Sequence, residues 1–328
     1  MLRPPPPPRS SRRQRGAALL TALIIVTLVV TLAASMVWQQ WRAVQVETAE
    51  RARMQSGWIL SGALDWARLI LREDLRNNRS NAQPHDSLDE PWATPLAEAR
   101  LSTFLAADKN NNAEDDGPEA FLSGSISDAQ ARFNLANLVD AAGKLSQPDL
   151  EALERLCQTV GLATDVATRI ATGLRDAQAA GTGSNGNAPL RPRTLAQLAW
   201  LGLDAATITA LEPYATLLPT RAPVNANTAA REVLAAVIKG LDLATAERLV
   251  QLRQRDPFKT LQAVETQIPG LGPLNGQQVS VVSSYFEVRG RLRLDDRVLE
   301  QRSLVFRSGL DMQVLHREQV STVEGLRS

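Results

Sequence analysis

The sequence is poor in the residues from which catalytic and metal centres are usually built. Its 328 residues include one cysteine and two histidines. Cys157 has no partner for an intrachain disulfide, and His85 and His316 lie far apart, which leaves little material for a zinc site or a histidine-based triad. The GxSxG, Walker A and HExxH motifs are also missing. An enzyme is therefore the least favoured class of function, and we expect no catalytic residue.

Positive charge is scarce outside the first 16 residues. The formal net charge is +1 at pH 7, which argues against a broadly basic nucleic-acid-binding surface. Residues 1–16 hold five arginines and no acid, so the remaining 31 basic and 35 acidic side chains give residues 17–328 a net charge of −4. The chain therefore has a short basic head and a mildly acidic body.

A long uncharged stretch follows the basic head. Residues 4–8 are all proline and cannot be helical, whereas residues 17–37 contain no charge and are long enough to cross a bilayer as a helix. Arginines before such a helix stay on the cytoplasmic side. Three interpretations are open: a cleaved secretory signal with small residues at Ala33 and Ser35, a twin-arginine signal at Arg12 and Arg13, and a membrane anchor that continues as a long helix.

The residues after this stretch favour the anchor. No proline occurs between Ala17 and Gln83, and apolar or small side chains recur at steps of three, four or seven, which is typical of one helical face. We predict a single helix over residues 17–80, about 100 Å long at 1.5 Å per residue. The residues that define the predicted face are Trp41, Val44, Thr48, Ala52, Ile59, Ala63, Trp66 and Ile70.

The remaining chain alternates between β and helical character. Residues 121–126 predict a strand, and residues 138–282 predict several helices of ten to fifteen residues. Alternation over residues 284–306 predicts antiparallel strands with Asp295-Asp296 as the hairpin turn. We therefore predict an α+β fold. Residues 81–137 and 283–328 form one small antiparallel sheet, and the helical block, residues 138–282, is inserted between them.

The start of the chain resembles a type IV pilin leader. A basic head ends at Arg15-Gly16, and the uncharged helix begins with Ala17. This resemblance implies that a prepilin peptidase cleaves after Gly16 and methylates Ala17. Thr21 stands where pilins carry a Glu that is thought to pair with the N-terminal amine of a neighbouring subunit. A subunit without that Glu suits the tip of a filament.

Three further motifs extend the resemblance to nearly the whole chain. They are DEPWA at residues 89–93, ISDAQARFNL at 126–135 and PVNANTA at 223–229. In this order after the leader, they resemble minor pseudopilin K of type II secretion systems. The resemblance implies a pilin-like fold with a large inserted all-α domain, which contains a helix-hairpin-helix or SAM-like region.

The resemblance also implies a role and a location. Members of this family cap a short periplasmic pseudopilus, help to start its assembly and form a tip complex with the I and J pseudopilins. We therefore expect a single-pass inner-membrane protein with a periplasmic globular domain. The secretin and exported proteins are further candidate partners.

An acidic loop is the candidate metal site. Oxygen ligands at alternate positions suit a hard cation such as calcium, and the resemblance implies calcium binding in the globular region. The spacing from Asp108 partly matches an EF-hand, but Ala113 replaces the sixth-position glycine, and a solvated acidic loop is the alternative. The candidate ligands are Asp108, Asn110, Asn112, Glu114, Asp115, Asp116 and Glu119.

Four polar residues within the motifs are predicted to be structural: Asp128, Asn134, Asn225 and Asn227. Asn134 is expected to fix a turn. Asn225 and Asn227 lie just before a predicted helix that contains Glu232, so an Asn or Thr here is expected to cap that helix.

A second function class rests on residues 224–272, which resemble a helix-hairpin-helix DNA-binding module. The alternative function is a membrane-anchored DNA-binding protein of an uptake system. The first hairpin, residues 239–243, lacks a second glycine and carries Asp242, and the second, PGLG at 269–272, has no adjacent Lys or Arg. We therefore expect no nucleic-acid partner. The pattern GTGSNG at 181–186 is interpreted as a flexible loop and Cys157 as a core residue.

Overall fold

The computed structural model describes residues 12–80, 84–101, 120–180, 189–294 and 297–323. The candidate calcium ligands, Asp295-Asp296, the glycine-rich loop at 181–186 and residues 1–11 of the leader lie outside these ranges. The chain divides into two compact units, residues 1–58 and 59–328, and each unit is described by itself.

Helix α1 (Arg12–Ser80) makes up the described part of the first unit and continues into the second. Its 69 residues confirm the predicted long helix. Within the described residues, the Ala17–Asn78 part is the one helix long and apolar enough to cross a membrane. Thr21, Thr27 and Thr31 donate their hydroxyl hydrogens to carbonyls one turn earlier. These bonds satisfy the three threonine hydroxyls inside the helix, as an apolar environment requires.

The second unit is built on an antiparallel sheet whose strand order is β1-β2-β7-β8-β9. The strands are β1 (Leu96–Arg100), β2 (Ala120–Asp128), β7 (Tyr285–Leu294), β8 (Arg297–Ser308) and β9 (Asp311–Val323). Strand β2 contains the predicted strand at 121–126. Leu294 pairs with Arg297, which confirms the predicted hairpin between β7 and β8.

The inserted block leaves and rejoins the sheet at one end. Strands β2 and β7 are neighbours, and Asp128 at the end of β2 pairs with Phe286 near the start of β7. The block contains α2 (Gln147–Thr159), α3 (Asp165–Ala180), α4 (Ala205–Leu211), α5 (Arg231–Val237), α6 (Leu243–Arg253) and α7 (Leu261–Thr266). Two short parallel pairs tie it together: β3 (Phe133–Asn134) with β4 (Ala215–Thr216), and β5 (Val224–Asn225) with β6 (Val279–Ser280).

Several helices of the block are shorter than predicted, since α4 and α5 have seven residues and α7 has six. Glycines with positive φ lie beside the short helices: Gly202 (82°), Gly240 (86°) and Gly270 (95°). Only glycine adopts this conformation without strain, so each one marks a turn where the chain changes direction. The turn at Gly240 joins α5 to α6, and the PGLG turn follows α7, which confirms the helix-hairpin-helix region.

Helix α1 packs on one face of the sheet through Leu60, Leu64, Ala67 and Leu71, which we call its sheet face. Close approach of α1 requires Gly290, and its paired residue Gly124 leaves room for the backbone of the neighbouring strand. A Cβ on Gly290 would lie 3.1 Å from a methyl group of Leu60, and one on Gly124 would lie 2.9 Å from the Arg289 carbonyl oxygen. On the opposite face, Tyr285 packs with Ala129, Leu218 and Ala222, where the block begins and returns.

Candidate functional site

Buried polar side chains connect the helical block, the sheet and the end of α1. We call the set Asp86, Asp128, Asn225, Ser283 and Arg307 the polar joint. Each member is at most 8% exposed. Buried polar groups are costly unless their hydrogen bonds are made, so this joint fixes one geometry between the block and the sheet.

Asp128 is the acceptor at the centre of the polar joint. Its Oδ2 accepts hydrogen bonds from Asn225 Nδ2 (3.0 Å), Ser283 Oγ (2.6 Å) and Thr228 Oγ1 (2.6 Å). Burial raises the pKa of Asp128, and hydrogen bonds from Ser283, Thr228 and the Gln130 amide oppose that shift. The predicted structural role of Asp128 is therefore to accept hydrogen bonds from both sides of the insertion.

Arg307 links strand β8 to α1. Its Nη2 lies 2.6 Å from Asp86 Oδ1 and donates to the Ser283 carbonyl oxygen at 2.5 Å, and its Nη1 lies 3.3 Å from Asp74 Oδ2. Burial, followed by the nearby carboxylates of Glu90 and Asp86, raises the pKa of Asp74 to about 7, against the opposing effect of Arg307. Asp74 lies well beyond the uncharged stretch at 17–37.

The carboxylates of Asp74, Asp86 and Glu90 are close enough to share a cation. However, the Arg307 guanidinium already pairs with Asp74 and Asp86. Glu90 accepts hydrogen bonds from Asn78 Nδ2 (3.0 Å) and Trp92 Nε1 (2.7 Å). This group is an ion-pair network. Its carboxylate oxygens already accept hydrogen bonds from a guanidinium, an amide and an indole, which suits Arg307 better than a metal ion.

The predicted caps at Asn225 and Asn227 are wrong. Helix α5 begins at Arg231, its N-cap is Ala230, and no side chain caps it. Asn225 instead accepts from its neighbour Asn227 N (2.9 Å) and donates into the polar joint, while Asn227 exchanges two hydrogen bonds with the Phe258 backbone. The local sequence resembles a helix start, but these side chains are buried against distant backbone.

Asn134 fixes a turn, as predicted, and also joins two loops. Its Oδ1 accepts from Ala136 N (3.1 Å) and Leu218 N (3.0 Å), and its Nδ2 donates to Thr220 O (2.8 Å). Cys157 is 1% exposed in the core of the block, and burial raises the pKa of its thiol to about 11. This burial confirms Cys157 as a core residue.

A second apolar face of α1 remains accessible. Ile59, Ala63, Trp66 and Ile70, which we call its groove face, line a groove of about 570 Å³ with Leu96 of β1. The Trp66 side chain is 60% exposed. These four residues belong to the face predicted from the sequence, but the structure buries the adjacent sheet face more deeply. Within the described part of the chain, the groove face therefore stays partly exposed.

The N-terminal candidate residues lie in regular helix. Gly16 and Ala17 are within α1, and Thr21 Oγ1 donates to the Ala17 carbonyl oxygen at 2.9 Å. This bond uses the Thr21 hydroxyl inside its own helix. The hydroxyl is also neutral, so Thr21 offers no charge to another subunit.

Comparisons with known proteins agree with this architecture. Two models described as type II secretion system (T2SS), protein K, match residues 131–220 and 224–283, which together cover the helical block. The type II secretion system protein K of Pseudomonas aeruginosa is 29% identical over an alignment of 286 residues that covers 81% of this chain and 80% of that protein. The protein of the same name from Pectobacterium carotovorum subsp. carotovorum is 29% identical over 320 residues, covering 88% of this chain and 91% of that protein.

A solved structure shows the same fold. A chain in the crystal structure of the GspK-GspI-GspJ complex from the enterotoxigenic Escherichia coli type 2 secretion system superposes with a TM-score of 0.62 at 20% identity. The match covers 84% of this chain and 99% of that chain. With the long helix, the antiparallel sheet and the inserted block, these matches show that the chain is similar to type II secretion system protein K, a family of minor pseudopilins.

Proposed function

We propose that this chain caps the tip of a periplasmic pseudopilus and helps to start its assembly, so that folded proteins can be exported. The observation that carries the proposal is the position of the helical block. The block joins the sheet beside Asp128 and Ser283, and the polar joint ties that end of the sheet to Asp74 near the end of α1. The block therefore lies near the C-terminal end of α1, which is the end farthest along the chain from the uncharged stretch. A large block at that end would obstruct the addition of another subunit.

Thr21 supports the same proposal. Pilin subunits below the tip use a Glu at this position to pair with a neighbour's amine, and a threonine hydroxyl bonded to Ala17 O supplies no such charge. The subunit at the tip has no neighbour above it and does not require the pair.

We propose that the I and J pseudopilins bind this chain through the groove face of α1. The solved complex contains proteins of those names, and the groove face presents a 60% exposed tryptophan beside an apolar groove. Large exposed aromatic side chains near a groove are typical of interface anchors. Apolar side chains from partner helices suit this lining.

The remaining steps follow from the leader and the acidic loop. We propose that a prepilin peptidase cleaves after Gly16 and methylates Ala17, that residues 17–37 anchor the mature chain in the inner membrane, and that the second unit lies in the periplasm. We also propose that the acidic loop binds calcium. Support for calcium comes from the composition of residues 108–119 and the family resemblance.

The test of the tip position is a deletion that the sheet geometry allows. Because Asp128 and Phe286 are paired neighbours, residues 129–285 can be replaced by a two-residue Asn-Gly turn, which suits an antiparallel hairpin. Gold-labelled antibody against a tag should find the full chain only at pseudopilus tips and the deletion variant also along the filament. If the folded deletion variant stays at the tips, obstruction by the block is not the cause.

A further inference from the structure

A second cavity lies between the helical block and the outer strands of the sheet. Its volume is about 400 Å³, within the size range of sites that hold small ligands or a few side chains. Six leucines provide most of its apolar lining: Leu135, Leu174, Leu217 and Leu218 from the block, and Leu304 and Leu315 from β8 and β9. We call it the basic cleft, because its charged lining residues in the described part of the chain are two arginines, Arg191 and Arg193.

The polar groups of the basic cleft come from both walls, and its charges come from the block. Arg191 and Arg193 line it from the loop before residue 195, and His316 lines it from β9. Among the described residues that line it, none is acidic. Both arginine side chains are exposed, so their charges are accessible to a ligand. A ligand that complements this site carries a negative charge beside apolar groups.

A β-bulge shapes the sheet side of the cleft. His316 pairs with Leu304 and Val314 pairs with Val305, so Leu315 is the extra residue on β9. The bulge turns two successive residues, Leu315 and His316, toward one cavity, whereas an unbroken strand points successive side chains to opposite faces. Leu315 is 42% exposed in this 13-residue strand, so part of its side chain is accessible to a ligand.

The same strand forms the edge of the sheet. Among the described residues, β9 pairs only with β8, so the other side of its backbone is available to accept a strand. An extended peptide can add to such an edge by main-chain hydrogen bonds while pockets beside the edge select its side chains. A small amphiphile would use the cleft but not the edge.

We propose that the basic cleft and the free edge of β9 together bind an extended peptide segment that carries an internal acidic side chain flanked by apolar residues at alternate positions. Side chains two residues apart point to the same face of a strand, roughly 6.6 Å apart. An acidic residue therefore reaches the cations while its i−2 and i+2 neighbours contact the leucines. This site is separate from the groove face and requires neither the I nor the J pseudopilin.

The probe is the peptide Thr-Leu-Thr-Glu-Thr-Leu-Thr with an N-terminal fluorophore and an amidated C-terminus. It is titrated with the full chain in lipid nanodiscs, and binding is followed by fluorescence anisotropy. We expect saturable binding that weakens with added salt. We also expect the same peptide with Gln in place of Glu to bind about tenfold more weakly, because the charge-assisted contacts are lost.

Two protein variants test the location. Reversing the charges with Arg191→Glu and Arg193→Glu should weaken binding by about tenfold or more. The control, Arg255→Glu with Lys259→Glu, makes the same charge change on exposed residues of another loop and should leave affinity unchanged. Leu315→Asp should also abolish binding. Thermal melting checks that each variant is folded.

Two N-methylated peptides test the edge. One is methylated at every Thr and the other at Leu and Glu, so that only one of them loses the donors that face β9. We expect one to lose binding and the other to retain it. The proposal is overturned if the unmodified peptide shows no saturable binding, or if both charge-reversal pairs weaken it equally. It is also overturned if both methylated peptides bind. Binding of decanoate in place of the unmodified peptide would likewise overturn it and assign the cleft to a small amphiphile.

Discussion

The two apolar faces of α1 differ in what covers them. The sheet face packs against Phe286, Val288 and other side chains of the sheet, and its Leu71 is 0% exposed. The groove face lies about a quarter turn away and leaves Trp66 60% exposed. Burial of the first face stabilises the fold. On the second face, Ile59, Ala63 and Ile70 pack partly against the core, whereas the exposed Trp66 contributes little to folding. One helix can therefore carry separable determinants of stability and assembly.

The largest expected effect comes from the sheet face. Leu71→Ala should lower the free energy of unfolding by about 3 kcal/mol, because it leaves a cavity in a closely packed interior. Leu69→Ala is the matched control, since Leu69 is 57% exposed on the same helix and should change stability by less than about 0.5 kcal/mol. Urea unfolding of residues 46–328 measures both. Equal losses would mean that the two faces are not distinct.

The polar end of the sheet face adds a pH dependence. Because the pKa of Asp74 is raised to about 7 from 3.8, the folded chain binds a proton more tightly than the unfolded chain in that window. Stability should therefore fall as the pH rises from about 4 to about 7.

Asp74→Asn should flatten this slope and preserve or increase stability at pH 8, because Arg307 keeps its contacts with Asp86. Asp65→Asn, a change at a 62% exposed side chain of the same helix, should leave the slope unchanged. Thermal melts between pH 4 and pH 8 give the comparison. An Asp74→Asn slope equal to that of the unchanged chain would refute the assignment.

The groove face is tested by affinity rather than stability. Trp66→Ala should weaken binding to the I and J pseudopilins by about tenfold or more, as expected for an aromatic anchor, with little change in melting temperature. Trp200→Ala is the matched control, because Trp200 is 49% exposed in the helical block. Co-purification and titration of the three soluble proteins measure the effect. Loss of binding by both variants would place the partners elsewhere.

The acidic loop differs from both faces of α1, because its expected contribution to stability depends on whether calcium is present. Asp108→Asn with Glu119→Gln should lower thermal stability by about 1 kcal/mol in calcium and change it little in chelator, because an ion that binds only the native state stabilises it by mass action. Melting curves in calcium and in chelator check this. If the melting temperature of the unsubstituted chain is the same in calcium and in chelator, a calcium site is excluded.

The sequence predicted elements better than it predicted contacts. The long helix, the strand at 121–126 and the hairpin near residue 295 follow from local patterns, and local patterns also mark Asn134 as a turn residue. The choice between the two faces of α1 could not be made from the sequence, because both are apolar and the sheet decides which one is buried. Gly290, within the predicted strands at 284–306, was a local sign of close approach, since a Cβ there would lie 3.1 Å from a methyl group of Leu60.

The polar joint was the least predictable part. Asp86 and Arg307 form it with Asp128, although 221 positions separate Asp86 from Arg307 in the chain. No periodicity links residues that far apart, and Asn225 was misplaced as a cap because its local sequence fits a helix start. Asp242, in contrast to Asn225, does cap a helix: its carboxylate accepts a hydrogen bond from Thr245 N at 2.8 Å at the start of α6. Its negative charge there disfavours a phosphate, in line with the argument against DNA binding.

Pairing of β2 with β7 has a consequence for the order of folding. Ser127 and Glu287 lie on neighbouring strands but are 160 positions apart in sequence. Closing so long an unstructured loop costs entropy before the strands gain any hydrogen bonds, which slows folding. If the block folds first, its two ends are already held together and the sheet closes across a short gap. We expect the block to gain hydrogen-exchange protection before the central strands in refolding experiments, and a slow central sheet would leave α1 exposed until the block is complete.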